Sequence, residues 1–142
     1  MRNDDGGDVR VSVDVAAKPA TVWRCITEAD LLSSWLAAGV EFRAEVGSPV
    51  RIRFDGHRTV VEGEVVEVVE GRRLSFTWGV ASGPQAGTMP AGSTRVTIAL
   101  EPSGAGTRVT LTHAGLPEAE RRDHEGGWRE YAKQLAGLAQ RL

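Results

Sequence analysis

Hydrophobic and polar positions alternate through the middle of this chain and recur at helical spacing near its end. Val9, Val11, Val13 and Val15 alternate with Arg10, Ser12 and Asp14, which predicts a half-buried strand. Pro19 suits the first position of a helix over Ala20 to Thr27, with Val22, Trp23 and Ile26 on one side. Asp30 is placed to cap a second short helix whose apolar residues are Leu31, Leu32, Trp35 and Leu36. A run of strands follows: Val40 with Phe42, then Val50, Ile52 and Phe54, then Thr59 to Val69, then Leu74, Phe76 and Trp78. Thr94 to Leu100 and Arg108 to His113 complete it, with Gly56, Gly71 and the Pro102–Gly106 stretch as breaks. Valines are doubled at 60–61, 65–66 and 68–69, so strict alternation fails and a bulge or bend is expected near Val65–Val66. Val80 to Gly92 has no usable periodicity and reads as a long hairpin loop, a kind of segment that often carries function.

Near the end, Trp128, Tyr131, Ala132, Leu135, Leu138 and Leu142 share one helical face opposite Arg129, Glu130, Lys133, Gln134 and Arg141. Gly126 and Gly127 are poor interior helix residues, so the helix is expected to start at or just after them, preceded by a short helical turn over Pro117 to Arg122. Such a helix is not stable alone and needs a surface to cover, which the strands provide. Two short helices after the first strand, adjacent strands joined by short turns, and one long closing helix give an α+β domain with an antiparallel sheet. The domain is expected over residues 9–142, after a disordered tail at residues 1–8.

Composition narrows the function. The 142 residues suit one domain, and 17 basic against 19 acidic residues, with no basic run, give no reason to expect a nucleic-acid partner. The lone Cys25 excludes an internal disulfide, no apolar run is long enough to span a membrane, and the polar N-terminus lacks a signal-peptide core. A cytoplasmic protein is expected.

The polar residue that stands out is His113, which continues the inward phase of Val109 and Leu111 and so faces the closing helix, where Trp128 and Tyr131 lie. It reads either as a polar anchor in an apolar cavity or as a core-edge histidine bonded to a backbone carbonyl or to Tyr131. Trp35, Trp78 and Trp128 fall near the ends of their elements and are candidates to line a pocket for a flat apolar molecule, while Trp23 reads as core. Cys25, His57, His113 and His124 show no metal-ligand spacing, so neither a metal nor another cofactor is expected. One of Glu62, Glu64 and Glu67 could turn inward at the bulge, whereas Arg51, Arg53, Arg72 and Arg73 read as a solvated face.

Four stretches together resemble a known family: VAAKPATVWRCITEADLLSSWL, VVEVVEGRRLSFTW, TRVTIALEPSGAGTRVTLTHAGL and EGGWREYAKQLAGLAQRL. The order of elements is similar to the START-like, or birch-pollen-allergen-like, helix-grip superfamily (SRPBCC). These stretches resemble its branch of homologues of the activator of the 90-kDa heat-shock chaperone ATPase. The resemblance implies a curved antiparallel sheet of about seven strands wrapped around the long C-terminal helix, with a deep cavity between them. Carried over by position, Trp35, Phe54, Trp78, His113, Trp128 and Tyr131 would line that cavity. Family members use such cavities for apolar ligands, and some relatives are enzymes; the tryptophans, inward His113 and the 80–92 loop favour binding of an apolar small molecule, lipid-like or aromatic, without turnover. The alternatives are a polyketide cyclase-like or hydrolase-like enzyme, with His113 as general acid or base and Tyr131 assisting, and a co-chaperone-like or regulatory interaction module. A homodimer through the edge strand Val9 to Val15 is open to such a fold.

Overall fold

The computed structural model describes residues 8–36, 39–54 and 58–142. The first seven residues of the expected tail, together with Asp55, Gly56 and His57, lie outside the described residues. The elements run β1 (Val9–Val15), α1 (Pro19–Thr27), α2 (Ala29–Trp35), β2 (Gly39–Glu41), β3 (Pro49–Phe54), β4 (Thr59–Val69), β5 (Arg73–Trp78), β6 (Val80–Ser82), β7 (Thr94–Ser103), β8 (Gly106–Ala114) and α3 (Glu118–Arg141). This is the expected α+β helix-grip arrangement. The eight strands form one antiparallel sheet in the order β1-β8-β7-β5-β4-β3-β2, with β6 paired to β4.

The sheet bends at β4. Its first half pairs with β3, its second half with β5, and the register slips between Val65 and Glu67, where the doubled valines predict a bulge. Gly63 sits at the bend because nothing larger fits: a Cβ there would lie 1.9 Å from the Thr77 carbonyl oxygen. Two bonds hold the kinked backbone, with the Glu62 amide donating to the Gly79 carbonyl at 2.9 Å and the Glu64 amide to Thr77 Oγ1 at 2.9 Å. On the outer face Arg51 pairs with Glu62, Arg53 with Glu41, and Arg73 with Glu67, so these arginines form a solvated ion-paired surface. Glu67 lies on that face too, bonded by Arg73 and Ser75.

The closing helix departs from the sequence pattern in two ways. It begins at Glu118, not after the glycines, and absorbs the turn expected at Pro117 to Arg122. Glu118 and Glu120 in the first turn complement the helix dipole, and packing on both sides of Gly126 and Gly127 outweighs their poor propensity. The buried stripe is also rotated from the expected one: it is Trp128, Ala132, Leu135, Ala136 and Ala139, while Leu142 is 55% exposed. Three alanines on that stripe keep the helix axis close to the sheet, and Gln140 Oε1 accepts the Ala16 amide at 2.9 Å next to β1.

The early helices are tied to each other by Trp35, whose indole N–H donates to the Cys25 carbonyl at 2.8 Å. Cys25 is free and fully buried. α2 starts one residue before Asp30, with Glu28 in the cap position, so Asp30 lies in the first turn instead of capping. The Val80–Gly92 segment is more ordered than a plain hairpin loop. It contains β6, and Met89 folds back to be 1% exposed, its carbonyl accepting the Val80 amide.

Three substitutions test this account by urea denaturation. A Cβ at Gly126 or Gly127 meets nothing within 4 Å, so Gly126→Ala and Gly127→Ala should each stabilise the fold, by about 1 kcal/mol. Gly63→Ala should destabilise it by well over that amount, and a neutral outcome would show that the β4 bend does not depend on glycine.

Candidate functional site

The strands aim a set of aromatic side chains at α3. Trp78 and Thr94 are direct cross-strand partners on β5 and β7, and His113 on β8 lies opposite Val96, one diagonal step from Thr94. All of these point inward, and Trp128 comes down on them from the helix. The Trp128 indole N–H donates to His113 Nδ1 at 3.0 Å. His113 Nε2 lies 2.8 Å from Thr94 Oγ1, and that hydroxyl donates to the Trp78 carbonyl at 2.6 Å. The bonding pattern fixes the tautomer. Nδ1 accepts from an indole that can only donate, and the Thr94 proton is spent on a carbonyl, so the ring carries its hydrogen on Nε2 and is neutral.

Burial agrees. His113 is 1% exposed, and its pKa is lowered from 6.5 to about 3, first by desolvation and then by the charge of His124. His124, four residues before Trp128, stacks edge-on against His113 with ring centroids 5.3 Å apart, and its Nδ1–H donates to the Glu120 carbonyl. Of the two readings open from the sequence, the geometry favours a satisfied core histidine, although its partners are Thr94 and Trp128 instead of a backbone carbonyl or Tyr131. Proton transfer to a bound molecule would require one of its two bonds to open.

Five of the six candidate site residues are brought together. Trp78 lies 5.3 Å from His113, 5.4 Å from Trp128 and 5.8 Å from Phe54, measured between ring centroids. Tyr131 bridges Phe54 at 6.2 Å and Trp128 at 6.1 Å. Phe76 joins from β5, 6.3 Å from Trp78. Trp35 stands apart from this cluster, but it shares with Tyr131 an open groove of about 310 Å³ between α2 and α3, with Ser33, Ser34, Leu36, Glu130 and Gln134 as the other walls.

One polar atom in the cluster has no partner. The Trp78 indole N–H is buried and makes no hydrogen bond, while the indoles of Trp35 and Trp128 are both satisfied. Sequence reasoning missed Thr94 and His124. Thr94 continues the inward phase of Val96, Ile98 and Leu100 and was legible in that alternation. His124 is one helical turn from Trp128 and was hidden by placing the helix start too late. Among the described residues no group of three or more His, Cys, Asp or Glu side chains is placed to hold a metal ion. No helix among them is long and apolar enough to cross a membrane.

Comparison with known proteins gives a consistent result. The family model described as Activator of Hsp90 ATPase homolog 1-like protein matches residues 16–140. Among solved structures, protein MLL2253 from Mesorhizobium loti is 28% identical, with a TM-score of 0.81 over 94% of this chain and 97% of its own. DynU16, a protein of the dynemicin biosynthetic locus, is 25% identical with a TM-score of 0.78, and the match covers 94% of this chain but 47% of DynU16. The Aha1 dimer from Colwellia psychrerythraea is 19% identical with a TM-score of 0.79 over 95% of this chain and 97% of that one, a likeness of fold alone. No curated protein sequence matches.

The buried neutral histidine predicts acid sensitivity. Above pH 6.5 its contribution is fully present. Below that value the unfolded chain takes up a proton that the folded chain refuses, so stability falls by about 1.4 kcal/mol per pH unit toward the folded value of about 3. Between pH 6.5 and 5 the wild type should lose about 2 kcal/mol more than His113→Gln in urea denaturation. The variant should be less stable at pH 7 yet flatter with pH. Equal slopes would mean that His113 titrates normally in the fold.

Proposed function

The chain belongs to the family described as Activator of Hsp90 ATPase homolog 1-like protein, and on that premise we propose that it binds an apolar small molecule, lipid-like or aromatic, between the sheet and α3. The observation that carries this reading is a continuous path of aromatic rings from an open groove to the centre of the domain. Trp35 and Tyr131 line the groove between α2 and α3. Tyr131 touches the rings of Phe54 and Trp128, and both of these touch Trp78. Phe54 and Tyr131 are half-buried, so they are the side chains best placed to move aside when a ligand enters.

In this reading Trp35, Phe54, Trp78, Trp128 and Tyr131 supply apolar contact. His113 acts by holding Trp128 in its orientation, and no reaction is assigned to it. An enzymatic role would ask His113 to give up Thr94 or Trp128 before it could transfer a proton. The free, buried Cys25 suits a reducing cytoplasm. β1 ends the strand order, and its outer edge is where a second copy of the chain would pair.

Native mass spectrometry of the purified protein, followed by solvent extraction, tests the proposal. A reproducible apolar adduct is expected, and the same compound should quench tryptophan fluorescence saturably. Tyr131→Ala should weaken that binding about tenfold by removing aromatic contact at the groove. Failure of every apolar probe to quench saturably, with no adduct recovered, would overturn the reading.

A further inference from the structure

The tryptophan at the hub of the ring contacts separates one class of apolar ligand from another. Trp78 is 5% exposed, and its indole N–H has no hydrogen-bond partner. A buried donor left unmade is costly, so native folds rarely keep one without a use for it. The polar groups around it are already committed. His113 accepts from Trp128 and donates to Thr94, and Thr94 donates to the backbone of Trp78. Every donor of this hydrogen-bonded chain is used, and the Trp78 indole N–H beside it is the donor left over. The rings in contact with Trp78 are Phe54, Phe76, His113 and Trp128, none of which carries a formal charge in the state described above.

We infer that the ligand is a flat, uncharged aromatic molecule bearing a carbonyl-type oxygen, and that this oxygen accepts the hydrogen bond of the Trp78 indole. The inference rests on the binding reading above and adds to it the chemistry of the ligand. A plain hydrocarbon fills the same rings but leaves the donor orphaned. A carbonyl compound of the same shape satisfies it. A cation has no lone pair to offer the indole N–H, so it leaves that donor orphaned as a hydrocarbon does. A carboxylate would have to shed its water against rings that offer a single N–H.

The test uses two probes of one skeleton, 9-fluorenone and fluorene, titrated against wild type and Trp78→Phe. Trp23, Trp35 and Trp128 remain as fluorescence reporters in the variant. Trp78→Phe should weaken fluorenone binding about tenfold, the worth of one buried hydrogen bond to a neutral donor, and change fluorene binding less than twofold. Equal changes for the two probes would overturn the inference and leave the binding function standing. Saturable binding of neither probe to wild type would count against the binding function, and the inference would fall with it. A second measurement does not depend on how the variant folds. In the ¹⁵N-labelled wild type the assigned Trp78 indole N–H resonance should move downfield with fluorenone relative to its position with fluorene. No downfield difference between the two bound probes would overturn the assignment of the donor.

Discussion

The structure depends on a short relay of hydrogen bonds in an otherwise apolar interior. Trp128 on α3 donates to His113 on β8, His113 donates to Thr94 on β7, and Thr94 donates to the backbone of Trp78 on β5. Hydrophobic burial alone would let a long helix slide or roll on a sheet, because it is not directional. The relay removes that freedom. It fixes the rotation of α3 at one residue, and the alanine stripe at Ala132, Ala136 and Ala139 then follows onto the sheet beside it. The relay works only with a neutral imidazole, which is why burial of His113 and its depressed pKa belong to the fold itself.

Curvature is the second constraint. A flat sheet would touch α3 along a line, while a bent one surrounds it. The bend is local to β4, where Gly63 lets the Thr77 carbonyl approach and the register slips past Val65. It turns β3, with Phe54 at its end, toward Tyr131 and Trp78. The same feature that closes the core therefore assembles the aromatic cluster, and stability and ligand recognition share residues. Trp78 shows the division most plainly: its carbonyl anchors the relay and its indole N–H is left over.

Much of the fold was legible along the chain. Strand alternation, Pro19 at a helix start, the doubled valines of β4 and the inward phase of His113 are local signals, and each corresponds to an element or a direction in the structure. The start of α3 and the Val80–Gly92 segment were not legible. Glycines lower helix propensity whatever their surroundings, but Gly126 and Gly127 are carried inside α3 by packing that involves residues far away in sequence. Met89 looks like part of a polar loop until β6 brings it back into the core.

The candidate site divides in the same way. The identities of Trp78, His113 and Trp128, and the sides they face, are properties of period-two and period-3.6 patterns, so the sequence determined them. Which atoms meet was decided by tertiary structure. The diagonal from Thr94 to His113 depends on the register of β7 with β8, and the pairing of Trp128 with Nδ1 depends on the rotation of α3. The separation of Trp35 from the other rings depends on where α2 ends. Periodicity encodes directions, but a hydrogen bond, or its absence at the Trp78 indole, is set within a few tenths of an ångström, and only the packed chain specifies distance that finely.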